Sequence, residues 1–208
     1  MSSTRKIPYG LLTLIFAAAW LLLLFLTPPE KTLGTLIRWV FAHGSLTQAA
    51  VYVFLVAALV AAGYLLGNDR LYRWMTTIAV IAFSLWALGF VISIVPTRIA
   101  WGVFVDLNEP RTQMTLRVLA AGAVFLAVAW WVHQPKFTAM AIIIFAFILL
   151  FLVRSTGIIR HPANPVGESP SPILPLVYSG ILLSAILGSV SLAGWLATRK
   201  STDQPSPS

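Results

Sequence analysis

Residues 72–95 read Tyr-Arg-Trp-Met-Thr-Thr-Ile-Ala-Val-Ile-Ala-Phe-Ser-Leu-Trp-Ala-Leu-Gly-Phe-Val-Ile-Ser-Ile-Val, an apolar run whose one charge, Arg73, stands at its start. A helix needs about 20 apolar residues to cross a bilayer, with a lower limit of about 17, so this run predicts a membrane span. Five more runs meet the same requirement: Tyr9–Leu26, Ala49–Leu66, Met114–Val132, Phe137–Val153 and Ile173–Ala197. The first follows Arg5 and Lys6 as a signal peptide would. Its apolar core from Leu11 to Leu26 is longer than the usual h-region, and it is read as a retained helix. Composition agrees, with 59% hydrophobic residues, 10% charged residues and a mean hydropathy of +0.88, against about 25% charge in soluble domains. The expectation is an all-α membrane protein, a six-transmembrane-helix bundle forming a single domain over residues 1–200. The tail 201–208, Ser-Thr-Asp-Gln-Pro-Ser-Pro-Ser, is polar and Pro-rich and is expected to be disordered.

The segments between the runs carry the polar residues. After Pro28-Pro29, Leu33, Leu36, Ile37, Val40 and Phe41 fall at one-face helical spacing with Lys31, Thr35 and Arg38 opposite. This predicts an interfacial amphipathic helix before the second span. It delivers His43 at its end, with Gly44 as a stop. Tight turns at Gly67-Asn68-Asp69-Arg70 and His133-Gln134-Pro135-Lys136 make spans two and three, and four and five, antiparallel hairpins. With six spans, every connection after an odd-numbered helix lies on one face, so His43, the loop from Trp101 to Arg111 and His161 share a side, and His133 lies on the other.

The net charge of +8 is spread between apolar runs, where cations set topology, and nucleic acid is not an expected partner. Seven cations fall on each side: Arg5, Lys6, Arg70, Arg73, Lys136, Arg199 and Lys200 on one, and Lys31, Arg38, Arg98, Arg111, Arg117, Arg154 and Arg160 on the other. Residues flanking the first helix dominate orientation, which places both termini in the cytoplasm of a multi-pass protein of the bacterial cytoplasmic membrane. The seven cations on the translocated side cluster around two histidines, as an anionic ligand there would favour.

No acidic or basic side chain lies deep in any run, which disfavours ion pathways and proton relays. With no nucleophile–base set, phosphate loop or cysteine, the chain is not expected to be an enzyme, and any redox role needs a bound cofactor. The exceptional connection is Pro96–Thr112, Pro-Thr-Arg-Ile-Ala-Trp-Gly-Val-Phe-Val-Asp-Leu-Asn-Glu-Pro-Arg-Thr. Trp101, Phe104 and Val105 offer apolar contacts, and Arg98 and Arg111 bring forked donors suited to carboxylates or phosphates. One reading is an interfacial loop anchored among lipid headgroups of the bilayer. The other is a site for a planar, greasy ligand with acid groups. Two histidines on one side could ligate a haem iron axially, with the loop against the macrocycle and arginines at its propionates.

The layout resembles the haem-handling membrane proteins of the cytochrome c assembly family, of the six-span CcmC type. Members carry a His-Val-Pro motif just before the second span, to which Arg38-Trp-Val-Phe-Ala-His43-Gly-Ser is similar. They carry a tryptophan-rich WWD segment, Trp-Gly-Thr-Trp-Trp-Thr-Trp-Asp-Pro-Arg-Leu-Thr, between spans three and four. Trp101-Gly102-Val-Phe104-Val105-Asp-Leu107-Asn-Glu109-Pro110-Arg111-Thr112 resembles it with one residue inserted, with Phe104, Val105 and Leu107 standing where tryptophans belong. The family's second histidine, before span six, is matched by His161 in Ile-Arg160-His161-Pro162. The resemblance covers roughly residues 36–166. It implies transient b-type haem bound at the outer face by His43 and His161 as iron ligands, with Trp101, Gly102, Phe104, Arg98, Arg111 and Arg160 around it. It further implies transfer to a haem chaperone or apocytochrome beside other cytochrome c maturation subunits. The competing expectation is a non-catalytic accessory or structural subunit of a respiratory or transport complex.

Overall fold

Hydrocarbon offers no water to unpaired backbone groups, so a chain this apolar must satisfy them within helices. The computed structural model, which describes residues 7–157 and 171–199, has six long helices: α1 (Tyr9–Leu26), α2 (Ile37–Leu65), α3 (Tyr72–Trp101), α4 (Pro110–Val132), α5 (Pro135–Ser155) and α6 (Ile173–Thr198). Each is long and apolar enough to cross a membrane, and the protein is an all-α, multi-pass membrane protein. α4 and α5 both begin on proline, at a position where the missing N–H would have no helical partner anyway. The two tight turns are present. One passes through Gly67 and a short 3-10 turn at Asp69–Leu71, and the other through His133, which closes α4 in the left-handed conformation at φ 54°.

At the other end of the bundle the helices outrun the apolar runs. Residues 31–36 form turns, and the helix that begins at Ile37 continues unbroken past His43 and Gly44. The expected interfacial helix is therefore the first part of α2, and Gly44 is an interior residue. At 29 residues α2 is about 43 Å long, beyond the ~30 Å hydrocarbon thickness. α3 likewise runs through the buried Pro96 and carries Arg98 and Trp101 in its last turns.

Packing makes α2 the hub, touching α1, α3, α5 and α6. α2, α3, α4 and α5 form a four-helix group in which α2 and α4 stand diagonally and do not touch among the described residues. Its core joins Ala50, Ala57 and Ala61 of α2 to Ala79 and Ala82 of α3, with Met75, Trp86, Phe54 and Phe145 filling the space between helices. Small residues let backbones approach closely where lipid supplies no hydrophobic drive. At Gly89 an added Cβ would stand 2.6 Å from Thr47 Oγ1 and 3.3 Å from the His43 carbonyl, so α3 and α2 approach closely at that level. The indole Nε1 of Trp86 donates to the Thr115 carbonyl (3.3 Å), tying α3 to α4. α6 lies along α2 and α3, and α1 lies outermost against α6.

Candidate functional site

The connections after α1 and α3 lie at one end of the bundle, as the alternation of six antiparallel helices requires. α3 ends because Gly102 turns the chain left-handed at φ 76°, a conformation that disfavours any side chain with a Cβ. Its N–H donates to the Arg98 carbonyl (3.1 Å), and the Arg98 guanidinium donates back to the Gly102 carbonyl. The same guanidinium carbon lies 4.9 Å from the centre of the Phe104 ring, within cation–π range. Helix end and loop are thus held by one arginine.

The loop then presents its side chains in the reverse of the soluble order. Asp106 and Glu109 are buried, whereas Phe104 is 63% and Leu107 61% exposed. Asp106 accepts from the Asn108 N–H at Oδ1 (3.0 Å), and the Asp106 carbonyl accepts from the Glu109 N–H (3.3 Å). Gln113 Nε2 holds the Leu107 carbonyl (2.8 Å), while its Oε1 accepts from Arg117 (3.3 Å). With both acids turned in, the outward surface is apolar and edged by the exposed Arg98 and Arg111.

His43 is half-buried, six residues into α2, and its carbonyl accepts from Thr47 Oγ1 (2.8 Å). Because Gly89 lies against His43 and Thr47, helical rise puts Arg98 about 10 Å and Trp101 about 15 Å farther out than His43. The Trp86–Thr115 bond returns Arg111, at the start of α4, to about the level of His43, to within a turn. Residues 102–109 therefore descend from the tip of α3 to the depth of the imidazole. Around the level of His43, Tyr178 packs edge-on to Phe41 (ring centres 5.0 Å) and donates to Gln48 Oε1 (2.9 Å), and farther in Gln48 Nε2 donates to the Tyr52 hydroxyl (3.2 Å). In the first turn of α2, Arg38 Nε donates to the Thr27 carbonyl (3.0 Å). Glu30 Oε2 accepts from the N–H groups of Leu33 (2.8 Å) and Thr32 (2.7 Å), and these bonds hold its carboxyl below the usual glutamate range.

Of the residues expected to form the site, His43, Arg98, Trp101, Gly102, Phe104 and Arg111 lie at this end, spread over two levels. His161 and Arg160 lie outside the described residues. His133 is at the opposite end, with Nδ1–H donating to the Trp131 carbonyl (2.8 Å). Among the described residues no three of His, Cys, Asp and Glu gather as a metal centre. Sequence reading passed over the inward acids, whose signal was their alternation with Val105 and Leu107. It also passed over the Gln48–Tyr52–Tyr178 chain, flagged only by a Gln and a Tyr four apart in an apolar run. No protein-family model matches the sequence, and no curated protein matches it.

Proposed function

We propose that the protein binds haem as cargo at the end of the bundle that carries the α3–α4 loop, and hands it on during c-type cytochrome assembly at the outer face of the bacterial cytoplasmic membrane. The observation that carries this reading is the loop with its acids buried and its aromatic and aliphatic side chains outward, capped by the Arg98 cation on Phe104. Such a surface suits a flat apolar ring with carboxylates at one edge, since apolar area is buried while guanidinium groups meet the acids. The separation of about 10 Å between His43 and Arg98 asks for a ligand with an iron-binding centre and an anionic edge far apart, which haem provides. In this reading His43 and His161 hold the iron, Phe104 meets the ring beside Gly102, Arg98, Arg111 or Arg160 takes the propionates, and Trp101 stands beyond the propionate edge. The loop, descending from the last turn of α3 to the level of His43, is the surface at which a haem chaperone or apocytochrome would collect the cargo.

Haem titration of the purified protein tests this. Wild type should give a low-spin bis-imidazole Soret spectrum, and His43→Ala and His161→Ala should each shift it while His133→Ala does not. Arg111→Ala should keep the spectrum but weaken retention by about 1.5–3 kcal/mol, the range for a hydrogen bond to a charged group. A His43→Ala, His161→Ala double variant that binds haem with the wild-type spectrum would sink the reading in favour of a ligand-free accessory subunit.

A further inference from the structure

At the end of the bundle opposite the α3–α4 loop, α3 and α4 draw apart and leave a cavity of about 280 Å³ between α3, α4 and α5. Its α3 wall is a single stripe, Tyr72, Thr76, Ala79, Val80 and Phe83, which spans about 16 Å along the helix. Gly122, Leu126 and Trp130 form the α4 wall, and Thr138, Ile142 and Phe145 the α5 wall. The slot therefore runs along the helices from the membrane surface to the middle of the bundle. There Phe54 of α2 closes it together with Phe83, Phe145 and the close approach of Gly122 to both rings.

Three features narrow the occupant. The lining is hydrocarbon and aromatic except for Tyr72, Thr76 and Thr138, all at the outer end, so water has few partners inside. The slot is hemmed in by three helices and closed by Phe54, Phe83 and Phe145, which leaves no room for another helix about 10 Å across. A single extended chain fits and a transmembrane helix does not. The slot also opens sideways, since Val80 is half-exposed and Trp130 is 77% exposed. Its mouth lies at the basic end of the described residues, where Arg70, Arg73, Lys136 and Arg199 face one carboxylate, Asp69. Arg73 follows Tyr72 directly and Lys136 stands two residues before Thr138; both are exposed at this end of the bundle, on long side chains that do not themselves line the slot.

We propose that this cavity holds one acyl chain of an anionic phospholipid, with the headgroup phosphate at Arg73 and Lys136. The chain completes the core between α3 and α4, which are otherwise tied through Trp86, midway along α3, and Thr115, near the start of α4. The headgroup takes two of the cations that the single carboxylate leaves uncompensated.

The test offers the purified protein equimolar dioleoyl phosphatidylglycerol and dioleoyl phosphatidylcholine, and reads retained lipid by native mass spectrometry. Wild type should keep one phosphatidylglycerol, and Ala129→Phe, which fills the slot, should lower occupancy at least tenfold. The Arg73→Gln, Lys136→Gln double variant should keep a lipid but lose the preference for phosphatidylglycerol. A second readout uses the wild-type chain alone, with phosphatidylglycerol carrying a photoactivatable diazirine in its acyl chain. Crosslinks should concentrate on Val80, Leu126 and Ile142. Labelling spread equally over outward residues such as Leu59 and Phe147, equal retention of the two lipids by wild type, or unchanged occupancy in a folded Ala129→Phe variant would each overturn the proposal.

Discussion

At Gly194, an added Cβ would stand 2.6 Å from two carbons of the Tyr9 ring, and that ring belongs to the helix that α6 holds. Overpacking of this kind costs about 1–3 kcal/mol when neighbours must shift. Gly194→Leu should therefore loosen α1 from α6, read as faster proteolysis after Leu26 with the rest of the bundle intact. Glu30 offers a residue-scale test with a defined sign. A carboxyl whose pKa is lower in the folded chain contributes stability that is present above its unfolded value and lost as pH falls through the folded one. The Glu30 turn should hold at neutral pH and loosen only below the usual glutamate range, with an NMR titration midpoint under that of an unstructured peptide, and Glu30→Gln should abolish the transition. Individual residues were read unevenly. Arg98, Trp101 and Phe104 stood out because charge and aromatic rings interrupt apolar sequence, whereas the inward turn of Asp106 and Glu109 depends on what the loop folds against, which spacing does not encode.

Among the elements, α2 separates what hydropathy reveals from what it hides. All six spans could be read from apolar runs, and α1 has the bounds that its run predicts. Those of α2, α3 and α4 were too short at the loop end, because hydropathy falls over residues 43–48, at Arg98 and at Arg111 while the backbone hydrogen-bond ladder does not. Gly44 looked like a stop because glycine commonly closes helices, yet here it faces Tyr178, with room for a methyl group at 3.4 Å from the hydroxyl. Gly44→Ala should then stabilise the protein by about 0.5–1 kcal/mol, through helix propensity, in unfolding from mixed micelles. A loss of stability instead would mean that α2 breaks at that point. α2 also takes a hydrogen bond from α1, where Trp20 Nε1 donates to Ser45 Oγ (3.1 Å). Trp20→Phe should lower stability by about 0.6 kcal/mol beyond the change in packing, the average for such bonds between helices in a membrane. The depth of His43 follows from the same continuity and was hidden for the same reason.

On the scale of the whole molecule, the alternation of helices assigns the loop at Asn108 and the turn at Asn68 to opposite sides, and orientation follows from which one is outside. The chain has no cysteine, so Asn108→Cys and Asn68→Cys can be labelled singly. An impermeant thiol reagent applied to intact cells should modify Asn108→Cys and spare Asn68→Cys, and the reverse result would invert the proposed topology. The pairing of α1 with α6 has a further consequence, for biosynthesis. Of the six helices the ribosome releases α1 into the bilayer before the others, and its main docking surface, from Gly180 to Gly194, lies on the last of them. Until then α1 has only a slight contact with α2 and must wait as a loosely tethered helix among lipids. The first of the six helices is thus the final one to be seated, a long-range closure step that is slow relative to the local α2–α3 and α4–α5 hairpins. Chains interrupted before α6 would present an unclaimed first helix to membrane quality control.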